Sequence, residues 1–113
     1  MIATGASVFL ATQPVDFRKG PQGLMALVQE SGADPFSGSV YVFRSKRADK
    51  VKMVWWDGGV CLFAKRLDEH RFHWPRIENS VIRLSVAQMM ALVEGMDWSR
   101  VKAVPERQPT SVG

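Results

Sequence analysis

The side chains with catalytic potential are few and dispersed: His70, His73, a single cysteine at Cys61, and the carboxylates Asp16, Asp34, Asp49, Asp57, Asp68 and Glu69. Covalent or zinc chemistry needs a nucleophile beside a base, or three to four N and S ligands at set spacing. The chain has no Gly-x-Ser-x-Gly elbow, no phosphate-cradling glycine loop and no His-Glu-x-x-His helix. His70 and His73 could share a metal only on a helix, yet the flanking Phe72 and Trp74 read as a strand, where residues three apart point to opposite faces. One cysteine allows no internal disulfide, and with two histidines no Cys-rich zinc site. A two-metal nuclease requires carboxylates that converge in a pocket. Each acid here stands at a turn signal or beside a basic residue, where solvation, turn hydrogen bonding or ion pairing accounts for it. The expectation is a non-enzyme with no catalytic residue, metal or cofactor.

The remaining chemistry is cationic. Fifteen Lys and Arg face eleven Asp and Glu, a net charge of +4, and the pI is near 9.6. Residues 44–76 hold nine of the basic groups and four of the acidic ones, interleaved with Trp55, Trp56, Phe63, Phe72 and Trp74. Cations with flat rings between them are what a nucleic-acid surface uses: charge for phosphates, π-faces for bases. Arg18-Lys19, then Arg44, Lys46, Arg47, Lys50 and Lys52, then Lys65-Arg66, and Arg71 fall around turns and strand ends, from which flexible cations reach a phosphate backbone. The nine candidate nucleic-acid contacts are Arg18, Lys19, Arg44, Lys46, Arg47, Lys52, Lys65, Arg66 and Arg71. The competing reading is a solvated face, because net charge speaks of partners and solubility rather than of fold. Trp55 and Trp56 are adjacent in a strand pattern and point to opposite sides, one into the core and the other available to a base or a protein.

The elements that must hold these residues follow from pattern. A chain of 113 residues with 46% hydrophobic and 23% charged content has room for one core, taken as a domain over 1–98 with a flexible tail over 99–113, where Pro105 and Pro109 fall. No apolar run nears the roughly 18 residues of a membrane span, and the N-terminus lacks a signal peptide's basic start, so a soluble cytoplasmic protein is expected. Residues 6–12 read as a strand closed by Pro14; Pro21, Leu24, Leu27 and Val28 mark a helix over 21–31 that Gly32 ends. Val40 to Phe43 is a strand apolar on both faces. Residues 51–67 form a hairpin about Asp57-Gly58-Gly59. A two-residue Gly58-Gly59 loop would set Lys52 opposite Lys65, a repulsion that a polyanion could relieve. Phe72 to Trp74 and Val81 to Leu84 are further candidate strands. Ser85 with Gln88 forms a capping box for a second helix over 86–94, closed by Gly95. This helix is apolar almost all round, so it is either enclosed or half exposed to a partner, with Met89, Met90 and Met96 as the candidate docking residues. The fold class is α+β: a mainly antiparallel sheet of four to six strands with two helices.

Asp16-Phe17-Arg18-Lys19-Gly20 with Gly23-Leu24, Asp34-Pro35-Phe36-Ser37-Gly38, Phe43-Arg44, Trp56-Asp57-Gly58, Cys61-Leu62-Phe63, Lys65-Arg66-Leu67, Phe72-x-Trp74-Pro75 and Leu92-x-Glu94-Gly95-x-Asp97-Trp98 together form a specific combination. The chain, from about residue 8 to 98, resembles the TnpB, or Orf-two, accessory proteins of insertion-sequence-66 bacterial mobile elements. It departs from their pattern in a shorter turn at Gly58-Gly59. The resemblance implies participation in DNA transposition beside a separate, larger transposase that carries the acidic catalytic triad. The expected partners are that transposase and the DNA of the element ends. The second functional reading is an adaptor that docks the transposase without contacting DNA.

Overall fold

The computed structural model describes Ile2, residues 5–77 and residues 80–102. Strand β1 (Val8–Ala11) leads through helix α1 (Pro21–Glu30) to β2 (Val40–Arg44). Then come the hairpin of β3 (Lys50–Trp56) and β4 (Val60–Arg66), strand β5 (Val81–Leu84), helix α2 (Val86–Val93) and a 3-10 turn at Trp98–Arg100. The five strands lie in the order β4-β3-β2-β1-β5, with β1 and β2 parallel and the other pairs antiparallel. The α+β class, the mainly antiparallel sheet and both helices agree with the expectation. The parallel pair follows from α1, whose crossover brings β2 back in the direction of β1.

The sheet is covered on both faces. Alternation sends Val8, Leu10, Val40, Val42, Val51 and Met53 to one side, where they meet Met89, Ala91 and Leu92 of α2 with Phe72 and Trp98. Tyr41, Phe43 and Val54 point the other way, onto Leu24, Met25 and Val28 of α1. Burial on two sides explains why β2 is apolar at successive positions.

Local chemistry sets the helix ends. Pro21 sits in the first turn of α1, and Gly32 beyond its end adopts φ +91°. At α2 the Ser85 hydroxyl accepts from the Gln88 N–H (3.0 Å) while the Gln88 side chain accepts from the Ser85 N–H (2.9 Å). Its C-terminus is a Schellman closure: Met96 N–H donates to the Ala91 carbonyl, Gly95 N–H to the Leu92 carbonyl, and Gly95 takes φ +77°.

Two expectations are corrected. The hairpin loop has three residues, because the Asp57 N–H donates to the Gly59 carbonyl (2.9 Å) and Trp56 pairs with Val60. The register therefore slips by one: Lys52 lies opposite Ala64, and Lys65 opposite Val51 on the other face, so the Lys52–Lys65 repulsion does not exist. Phe72 to Trp74 is not a strand. Phe72 is a core plug, its N–H bound to the Ala48 carbonyl (2.7 Å). The Trp74 indole donates to the Ala11 carbonyl (2.9 Å), and the His73 carbonyl accepts from the Trp98 indole (2.7 Å). The Ala48 carbonyl and the Trp98 indole thus serve the Phe72 N–H and the His73 carbonyl, which a strand ladder would otherwise pair. Of the expected tail, residues 103–113 lie outside the described residues; the Val101 carbonyl accepts from the Gln88 side-chain amide (3.1 Å).

Candidate nucleic-acid interface

Topology gathers the cations. Because β1 and β2 are parallel, both finish at one end of the sheet; β3 begins there and β4 returns there. The connecting segments meet in consequence. Val15 N–H donates to the Arg44 carbonyl (3.0 Å), Leu67 N–H to the Asp49 carbonyl (2.9 Å), and Phe72 N–H to the Ala48 carbonyl. Lys52 Nζ donates to the carbonyls of Phe17 (2.6 Å) and Lys19 (3.0 Å). Residues 12–20, 44–52 and 64–77, three stretches distant in sequence, form one surface with eleven of the 15 basic residues and four of the 11 acidic ones. That end carries +7 by formal charge, and the rest of the sequence carries −3.

All nine candidate cations fall on this end, in different roles. Arg44 is a tie: Nε donates to the Thr12 carbonyl (3.2 Å), and Nη1 to those of Ser45 (3.4 Å) and Lys46 (3.2 Å). Lys52 is a strut under the 17–19 loop, with its ammonium 4.9 Å from the Phe17 ring centroid. Arg18 forms a two-pronged pair with Asp16 (Nη2 to Oδ2, 2.8 Å; Nε to Oδ1, 3.1 Å) although its side chain is 92% exposed. The Arg18 side chain and its backbone N–H hold the Asp16 carboxyl at about 2. Lys19, Lys46, Arg47, Arg66 and Arg71 are exposed, and Lys65 is half-buried.

Lys46 and Arg47 stand at the tip of the β2–β3 turn, whose shape is specified. Ser45 Oγ donates to Asp49 Oδ1 (2.9 Å), which depresses the Asp49 carboxyl below its ordinary value, and Ala48 takes φ +57°. Lys50 and Arg66 are cross-strand partners, and with Phe17, Val51, Lys52, Ala64 and Lys65 they line a cleft of about 340 Å³. Arg76 also joins this end, beside Arg44 and Thr12. No local pattern singles out Arg76; only the strap that carries residues 67–77 back across the β-sheet brings it here.

Trp55 and Trp56 lie elsewhere. Trp55 packs into the α2-side core and Trp56 against the α1 side, where it meets Phe36 edge-on at 4.9 Å. Both adjoin the hairpin tip, at the end of β3 remote from the cations. At the basic end Phe72 is buried and the Trp74 indole is engaged by Ala11. Met89 is enclosed in the core at 5% exposure, whereas Met90 and Met96 are exposed at 59% and 57%. Among the described residues no three His, Cys, Asp or Glu are placed to hold a metal, and no helix is long and apolar enough to cross a membrane.

A family model described as IS66 Orf2-like protein matches residues 6–103. The chain belongs to the IS66 Orf2-like family. This family is one of transposition-associated accessory proteins rather than of known catalysts. Two curated relatives come from Sinorhizobium fredii (strain NBRC 101917 / NGR234). This IS66 Orf2-like chain is 43% identical to "Uncharacterized protein y4jC" over 110 residues, spanning 96% of this chain and 94% of the relative. It is 39% identical to "Uncharacterized protein y4hO" over 117 residues, spanning the whole of both. No solved structure matches. The matched region encloses all three basic stretches and both helices.

Proposed function

We propose that this transposition accessory protein binds duplex DNA through the basic end of its sheet, in the bacterial cytoplasm, while a separate transposase performs the chemistry. The observation that carries the reading is the convergence of residues 12–20, 44–52 and 64–77 into one surface with eleven basic and four acidic groups. Lys46, Arg47, Arg66 and Arg71 are exposed there and reach outward to phosphates. With Trp55 and Trp56 at the other end of β3, Phe72 buried, the Trp74 indole bound to Ala11 and the Phe17 ring against Lys52, the basic end is better suited to backbone contact with a duplex than to stacking on single-strand bases. The DNA of the element ends is the intended target.

A second reading is supported by the exposure of Met90 on α2 and Met96 just beyond it, apolar and adaptable side chains suited to docking the transposase. Salt separates the two. Phosphate binding weakens steeply as salt rises, and apolar docking hardly changes. Fluorescence anisotropy with a duplex carrying the element's terminal repeat and a scrambled duplex, each over a salt series, tests the proposal. Salt-sensitive binding supports it, and a preference for the repeat assigns end recognition. No binding at low salt rejects it in favour of the adaptor.

A further inference from the structure

Strand β4 is an edge of the sheet, seven residues long. The hydrogen-bonded pairs at the two ends of its ladder are Asp57 with Gly59 and Leu67 with Asp49. Antiparallel pairs alternate, so the odd-numbered residues of β4 bond to β3, and Val60, Leu62, Ala64 and Arg66 turn their N–H and C=O groups outward. The side chains along this edge are apolar and exposed on both faces: Val60 at 37% and Leu62 at 41% on the α1 side, Phe63 at 37% on the α2 side. Val60 to Ala64 contains no charge; Lys65 and Arg66 guard only the last part. Long apolar edges of this kind template another strand. The opposite edge, β5, has four residues with Arg83 within them.

We propose that β4 pairs antiparallel with β4 of a second copy, about a two-fold axis through Phe63, joining two five-stranded sheets into one of ten strands. This register is self-complementary. It sets Val60 opposite Arg66 and Leu62 opposite Ala64, so all four outward residues of each copy enter hydrogen-bonded pairs. Phe63 meets its own counterpart in the central non-hydrogen-bonded pair, where side chains approach most closely. Charge selects the antiparallel sense. A parallel alignment in register stacks Lys65 on Lys65 and Arg66 on Arg66, whereas the two-fold places each pair beside Cys61 and Val60, next to the tip that carries Asp57. The basic end of one copy, at +7, is thereby turned away from that of the other. The proposal is independent of DNA binding, and its test uses no DNA.

Sedimentation velocity of the full chain, up to about 100 µM, reads the mass directly. The expected result is a dimer for the unchanged chain and a monomer for Leu62→Pro, which removes an outward N–H and leaves the donors of the β3 ladder intact. Leu62→Lys keeps that N–H and adds a charge beside the axis, so it covers the case in which the proline variant fails to fold; far-UV circular dichroism checks both. Register is read by Phe63→Cys in a Cys61→Ser chain, which should cross-link on oxidation because facing non-hydrogen-bonded residues lie within disulfide reach. A monomer for the unchanged chain at the highest concentration overturns the proposal and leaves the edge to a strand of another protein. So does a dimer that survives in every folded Leu62 variant, or one that the Phe63 cysteine does not cross-link.

Discussion

At the scale of single residues, two cations of the basic end are structural and others are free to act. Lys52 donates to two loop carbonyls from a half-buried position, so Lys52→Met should lower unfolding stability by about 1–2 kcal/mol, read by urea denaturation. Reversing Lys46 and Arg47 to Glu should leave the melting temperature unchanged but weaken DNA binding and lower its salt slope by about 1 per lost phosphate contact. An unaltered slope would remove the turn from the interface. Asp16 neutralises Arg18, so under the proposed function its carboxylate opposes binding. Asp16→Asn should therefore tighten DNA binding, and a titration that shows weaker binding contradicts this. With its carboxyl held at about 2 against an ordinary 3.8, Asp16 stabilises the fold fully above pH 4 and loses that contribution as pH falls toward 2. The stability difference between wild type and Asp16→Asn should accordingly shrink between pH 5 and pH 2.5 in denaturant titrations.

At the scale of elements, legibility followed the range of the interactions involved. Both helices were readable because their signals are local: Pro21 and Gly32 bound α1, and the Ser85/Gln88 box and Gly95 bound α2. Ser85→Ala should cost about 1 kcal/mol by leaving the Gln88 N–H uncapped. Gly95→Ala should cost about as much, because an alanine at φ +77° is strained and its Cβ would lie 3.5 Å from Leu67; thermal melts measure both. The hairpin was legible as a hairpin but not in register. One hydrogen bond, Asp57 N–H to the Gly59 carbonyl, turns two loop residues into three and exchanges the faces of all β4 side chains relative to β3. The segment at Phe72 to Trp74 has strand composition, but its aromatics serve the core and its neighbours: Phe72 fills space, and the Trp74 indole reaches 63 residues back to Ala11. Such partners are invisible to a period-based reading because nothing local encodes them.

At the scale of the whole molecule, the basic residues could be listed from sequence, but their meeting could not. It depends on the parallel β1–β2 pair, which brings residues 12–20 to the side where β2 ends and β3 begins, and on the strap that returns through residues 67–77. The same topology moves Trp55 and Trp56 to the far end of β3 and separates rings from cations that the sequence interleaves. A molecule with +7 at one end and −2 over its other described residues is polarised for a polyanion, and in the function proposed above that polyanion is DNA. The most direct test is the affinity of the purified chain for the terminal-repeat duplex as a function of salt, compared with the Lys46→Glu/Arg47→Glu variant. A steep linear fall of log affinity with log salt is expected for the wild type and a shallower one for the variant. Binding that is indifferent to salt, or no binding at low salt, would contradict it.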